Sequence, residues 1–160
     1  MKDLNAYHAN LELQHIYLET CAERFQYLEL YLEGYYCYRH QCVTRQGKAD
    51  WTQIFTHAER SMAASQVVDH KQLVRLFRLP RSVLTGKLKT LVRDNELTLS
   101  RLEQCLDEHL DYVILTRQEW QQLKAAGFEN RMPADYYRPD SASYQQAMSR
   151  FQALGITFPA

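Results

Sequence analysis

Residues 72–92 read QLVRLFRLPRSVLTGKLKTLV, two apolar runs that meet at Pro80. The element each run forms decides the fold of the middle of the chain. In the first run Leu73, Val74, Leu76 and Phe77 are apolar, and Lys71, Gln72, Arg75 and Arg78 fall outward if the backbone winds as a helix. Asp69 precedes it as a capping residue, so a helix is expected over 70–79. Pro80 stops that helix and can sit in the first turn of the next, where its missing N–H is not needed. The second run, 81–93, carries Leu84, Leu88, Leu91 and Val92 on one side. Ser82, Gly86, Lys89 and Arg93 lie opposite, flanked by Arg81, Thr85 and Lys87.

Two short helices about a sharp turn, with a basic outer face, resemble the helix-turn-helix unit of DNA-binding proteins over residues 70–93. Leu73, Phe77 and Leu79 take the apolar positions of the first helix and turn, and Leu84 and Leu88 anchor the second. The resemblance implies that the second helix enters the major groove, with Arg81, Ser82, Thr85 and Lys89 at base edges. It implies Lys71, Arg75, Lys87 and Arg93 near phosphates. Arg and Lys match guanine edges, and cations near phosphates release counterions. The chain departs from the family at the turn, where Arg78 stands in the usual place of a glycine, and at Val74, where a smaller residue is usual.

Working outward, residues 3–34 contain no internal glycine or proline and are expected to form one long helix ended by Gly34. Leu4, Leu11, Leu18, Phe25 and Leu32 recur every seventh residue, and Tyr7, Gln14, Cys21, Leu28 and Tyr35 fill the companion position. That is the a/d spacing of a coiled-coil seam. A second apolar set, Leu13, Tyr17, Tyr27 and Tyr31, makes the helix adhesive on more than one side, as for a central helix or a dimer interface. Tyr27, Tyr31, Tyr35 and Tyr38 form a stripe suited to a protein interface. Glu19, Glu23, Glu29 and Glu33 mark the wetter side.

Beyond this helix, 35–50 is irregular, and Asp50 is expected to cap a helix over 51–64. Ser100–Arg101–Leu102–Glu103 predicts a helix to about Leu110 through a capping box. Tyr112–Val113–Ile114–Leu115 is a strand signal. Thr116–Arg117–Gln118–Glu119 is a second capping box, opening a helix that ends at Gly127. Residues 132–141 read as a loop, Ser141 or Ser143 as the cap of a last helix ending at Gly155, and Ile156–Thr157–Phe158 as a second short strand. The expected fold is mainly α: a long N-terminal helix on a helical cluster over 1–110, then a small α/β element over 111–160, with two strands that can pair.

The 160 residues carry 19 basic and 19 acidic side chains, so the molecule as a whole is not a polyanion binder. The charge is uneven. Lys71, Arg75, Arg78, Arg81, Lys87, Lys89, Arg93 and Arg101 face only Asp94 and Glu96 within 71–101. The N-terminal segment, by contrast, is acidic. The start has no secretory pattern, and no apolar run reaches the roughly 18–20 residues of a membrane span. A cytoplasmic chain with free thiols and no membrane contact is therefore expected.

Cys37, His40, Cys42 and His57 supply zinc-type donors at loose spacing, and no metal or other cofactor is expected. Glu12 and His15 resemble half of a di-iron motif whose second half is missing. Asp107, Glu108, His109 and Asp111 cluster without a nucleophile or phosphate loop, so no enzyme is expected. The leading expectation is a dimeric nucleic-acid-binding regulatory protein. The alternative is a non-enzymatic protein–protein interaction module, or a subunit of a larger assembly, that docks through the Tyr/Leu-rich N-terminal helix, with Leu4, Leu11, Leu18, Phe25, Leu32, Tyr27, Tyr31 and Tyr35 as its interface.

Overall fold

The computed structural model describes residues 3–160. Its helices are α1 (Leu4–Cys21), α2 (Leu28–Arg39), α3 (Ile54–His57), α4 (Met62–Ser65), α5 (Arg81–Arg93), α6 (Leu99–His109), α7 (Arg117–Ala125) and α8 (Ser149–Ala153). Three strands, β1 (Glu59–Arg60), β2 (Leu73–Phe77) and β3 (Tyr112–Thr116), form one sheet. The protein is thus mainly α with a small α/β part. Two compact units share the chain. A helical unit comprises Met1–His57 and Leu84–Leu110, and an α/β unit comprises Ala58–Val83 and Asp111–Ala160.

In the helical unit the expected long helix over 3–34 is two helices. Asp3 caps α1, accepting from the backbone N–H groups of Asn5 at 3.0 Å and Ala6 at 3.2 Å. α1 then stops at Cys21, because Glu23 adopts a left-handed φ of 55°. The Arg24 N–H donates to Glu19 O at 2.9 Å and the Glu23 N–H to Thr20 O at 3.0 Å. This double closure satisfies the last carbonyls of the helix. It normally uses glycine, so a glutamate gives no warning in the sequence.

The chain then folds back, and α1 and α2 pack against each other. Ala9, Leu13, Ile16 and Thr20, spaced 4, 3 and 4, are the buried face of α1. Leu28, Leu32, Tyr35, Tyr36 and Cys37 are that of α2. Gly34 does not end a helix. It lies inside α2, and a Cβ there would come within 3.0 Å of the Glu12 carboxylate. α6 packs on α1 and buries Leu102 and Leu106. Its cap is Thr98, which accepts from the Arg101 N–H, so the expected box on Ser100 starts two residues late.

The expected helix over 51–64 is also replaced. Asp50 caps as expected, but only a 3-10 turn at Trp51–Gln53 leading into α3.

The α/β unit is built on β3. Tyr112, Val113, Ile114 and Leu115 are all buried, as befits a short central strand. β1 runs parallel to β3, pairing Glu59 with Val113, and β2 runs antiparallel, pairing Leu73 with Thr116 and Phe77 with Tyr112. The helix expected over 70–79 is therefore a 3-10 turn, His70–Gln72, followed by β2. Apolar residues at 73, 74, 76 and 77 fit either period over so short a run, and pairing with β3 decides between them. Phe77 stacks on Tyr112 with ring centroids 4.9 Å apart.

The capping box on Thr116 is present as expected, with Glu119 answering, and α7 ends before Gly127. The Glu119 carboxylate also accepts from buried Ser61 Oγ at 2.6 Å. Val113, Leu115, Leu123, Phe151 and Ile156 make the core. The last helix is only α8, and residues 156–158 form no strand. They join the unit through the Met62 N–H, which donates to Thr157 O at 2.8 Å.

Arg150, 1% exposed, holds this unit together. Its guanidinium donates to Phe128 O at 2.9 Å, to Glu129 O at 3.0 Å, and to Phe77 O. Burial pushes its pKa down to about 10, so it is still cationic at neutral pH.

Replacing Glu23 with glycine tests the hairpin. A left-handed non-glycine residue costs about 1–2 kcal/mol, so Glu23→Gly should raise stability in urea unfolding by about 1 kcal/mol. A loss of about 1 kcal/mol is the result expected for glycine inside a continuous helix, and it would contradict the reversal.

Candidate functional site

The basic residues singled out in 70–93 do not form a helix pair. Lys71, Arg75, Arg81 and Ser82 belong to the α/β unit, and Thr85, Lys87, Lys89 and Arg93 to the helical unit. The expected second helix is present as α5, with Leu84 and Leu88 buried. The expected first helix is absent, because its residues are β2. Arg78 is not among the described residues with positive φ, and its guanidinium lies 3.6 Å from Asp111.

Several of these side chains are engaged within their own unit. Arg75 lies over the Tyr112 ring at 5.1 Å, and Lys89 over the Phe25 ring at 5.4 Å. Arg93 pairs with Asp94 at 2.9 Å. Ser82 donates its hydroxyl to Asn130 O, and its N–H to Asn130 Oδ1 at 3.1 Å. Asn130 thus satisfies an orphan N–H at the start of α5, a cap supplied from 48 residues away.

The zinc-type donors are not assembled either. Cys37 and Cys42 are buried, and burial raises the Cys42 thiol pKa, which disfavours the thiolate a metal needs. His40 and His57 sit with ring centroids 5.1 Å apart, beside Tyr36 at 4.3 and 5.9 Å. Among the described residues no group of three or more His, Cys, Asp or Glu side chains is placed to hold a metal ion.

The predicted interface residues range from core to exposed. Leu32 and Tyr35 are core. Phe25 and Tyr31 are half-buried, Tyr31 against the His15 ring at 4.9 Å. Leu4, Leu11 and Leu18 lie on the side of α1 opposite Ala9, Leu13, Ile16 and Thr20. Leu4 is 58% exposed, Leu18 64% and the neighbouring Tyr7 44%, with Leu11 half-buried between them. Tyr27, in the turn after α1, is 54% exposed. The heptad seam therefore exists over the length of α1, and the hairpin core uses a different face. α1 is apolar on two opposite sides, and among the described residues only one is core.

A cluster of polar side chains that ties two helices of the helical unit together surrounds Asp107 on α6. Arg39 donates to it from Nη2 at 2.8 Å and Nε at 3.2 Å, and Tyr35 donates its hydroxyl at 2.7 Å. Burial first, then the hydrogen bond to Asp107, pushes the Tyr35 pKa far above the ordinary range, so the phenol stays protonated. Beside this cluster are concavities of about 200 Å³, lined in part by Asn10, Tyr38 and Glu103, and about 260 Å³, lined in part by Tyr36, His40 and Leu106. Both fall below the roughly 300–1,000 Å³ of ligand pockets. The cluster ties α2 to α6, and its polar groups are directed at one another.

Comparison with protein-family models, with curated proteins and with solved structures finds no match to this chain.

Glu12 reports the close approach of α1 to Gly34. Burial raises its pKa above the ordinary 4.5, against the opposing pull of His15 and His8. A raised carboxylate favours the folded state when protonated. That stability is fully present below the unfolded value and is lost as pH rises through the folded one. Glu12→Gln should therefore raise the Tm at pH 7, and the gain should vanish in melts taken below about pH 4.5. A variant less stable than wild type at pH 7 would show instead that the Glu12–His15 contact at 3.7 Å outweighs burial.

Proposed function

We propose that this chain is a non-enzymatic protein-interaction module, and that it docks through the outward seam of α1 onto a partner presenting an apolar helical stripe of its own. The observation that carries this reading is the exposure of Leu4, Tyr7 and Leu18, with half-buried Leu11 between them, along one side of a helix whose opposite face is core. A helix apolar on both sides is normally buried on both sides, and contiguous exposed apolar stripes mark contact surfaces. None of Leu4, Tyr7, Leu11, Gln14, Leu18 and Cys21 carries a formal charge at neutral pH, which fits a face meant to lose its water.

Nucleic-acid binding through α5 is the second reading. It draws on Arg81, Lys87, Lys89 and Arg93, with Ser82 and Thr85. Loss of the first helix removes the scaffold that sets such a helix into a groove. The contacts of Lys89 with Phe25 and of Arg93 with Asp94 commit cations that the reading assigns to bases and phosphates.

Photocrosslinking tests the docking reading. A photoactivatable residue at position 18, in cells that make the protein, should give one discrete protein adduct that disappears when Leu11→Glu is added. The same residue at position 10, off the seam, should not. Adducts indifferent to Leu11→Glu, or none, would contradict the proposal. If the purified protein instead binds a labelled duplex, and loses orders of magnitude in affinity between about 50 and 200 mM salt, the second reading takes precedence.

A further inference from the structure

We infer that the occupant of the α1 seam is a second copy of this chain, with the two α1 helices parallel about a two-fold axis. This rests on the docking reading above and names its partner. Three features of the seam point to itself.

The first is its polar layer. Gln14 is exposed and sits in the seam between Leu11 and Leu18. In a parallel pair each seam position meets its own copy, so Gln14 faces Gln14 of the partner subunit. Two amides can then satisfy each other, as a single buried amide layer does in setting the register of coiled coils. Its amide donates to the neighbouring Asn10 Oδ1 at 2.5 Å, one turn away on the same helix. An antiparallel pair would set each Gln14 beside leucine and leave both amides without a match.

The second is charge. The hairpin is acidic, but Glu12 lies over Gly34 of α2 and Glu19 pairs with Arg24 at 3.1 Å, and neither is a seam position. The seam's flanks are Asp3, Asn10 and Tyr17 on one side and His8, His15 and Ala22 on the other. In a parallel pair these opposite flanks meet, so Asp3 approaches a histidine rather than another acid. Two such faces come together with no row of like charges.

The third is reach. α1 has 18 residues, about 27 Å of helix at 1.5 Å per residue. A seam of that length makes an interface at the small end of specific contacts, for which an affinity in the micromolar range is expected.

Cys21 provides the test. It is the last seam position, and it is exposed where Cys37 and Cys42 are buried. In the parallel arrangement the two Cys21 thiols lie at the same end of the interface. Mild oxidation with diamide, which takes up the two electrons and two protons released, should join them in a disulfide. Sedimentation of the full chain from about 5 to 200 µM should show a reversible monomer–dimer equilibrium. Diamide should trap the dimer, and Cys21→Ser should abolish the trapping. Leu11→Glu and Leu18→Glu should each weaken association at least tenfold while circular dichroism stays that of wild type, since neither side chain is core. Separate variants guard against one that fails to fold.

A chain that stays monomeric throughout would overturn the inference. A heterologous adduct from position 18 would then leave the docking reading standing with another partner. A dimer that diamide does not trap, or that ignores both seam substitutions, would also overturn it. If position 18 gives no seam-dependent adduct of any kind, the docking reading itself fails.

Discussion

At Glu23 the backbone crosses into the left-handed region, and the helical unit depends on that crossing. Without it, residues 4–39 would run on as one rod. The faces carrying Ala9, Leu13 and Ile16 and carrying Leu28, Leu32 and Tyr36 would then be unable to meet. The reversal is held by two hydrogen bonds to Thr20 O and Glu19 O, and the strain of a glutamate in that conformation is offset by the burial it permits. Gly34 completes the arrangement by letting the Glu12 side chain lie against the backbone of α2. The same fold-back selects which apolar stripe of α1 becomes core, and so which stripe is left open.

The α/β unit depends on a different interaction. β3 supplies a fully apolar centre, but the carbonyls at the end of β2 and just beyond α7 are gathered by a single cation, Arg150. A buried arginine serving carbonyls has no counter-charge to announce it, and nothing in the pattern around residue 150 distinguishes it from a surface arginine. Ser61 and Glu119 play a similar part at the start of α4 and α7, the serine capping one helix and donating to the carboxylate that completes the cap of the other.

Legibility in the sequence follows the locality of the signal. The box on Thr116 and the stop at Gly127 are written in adjacent residues and are legible there, as is α5 behind Pro80. Helix ends at Glu23, Gln41 and Asn95 use the same left-handed conformation as Gly127 and Gly155 without the glycine. At Glu23 that concealment makes two helices look like one. β2 has the look of a helix because its identity lies in its pairing with β3, about 40 residues away, and not in its own spacing. The basic-helix reading of 70–93 rests on that likeness. The heptad in residues 4–21 is legible and lies along one face of α1. Its continuation through Phe25, Leu32 and Tyr35 is a coincidence of spacing, because those residues follow the reversal. The donors Cys37, His40, Cys42 and His57 share a unit but not a metal geometry, which spacing alone does not reveal.

α1 and α2 form a hairpin that leaves the α1 seam outside. A pulsed electron–electron distance between spin labels at positions 6 and 41 tests it, with Cys21→Ser to keep the exposed thiol silent and an excess of unlabelled chain so that distances within one chain are read. Ala6 and Gln41 line the same concavity. A continuous helix would separate residues 6 and 34 alone by about 42 Å. A hairpin gives a single narrow distribution at well under half that length. A distribution centred near or beyond it would show that the chain does not turn back at Glu23, and that the open seam is not what the hairpin leaves behind.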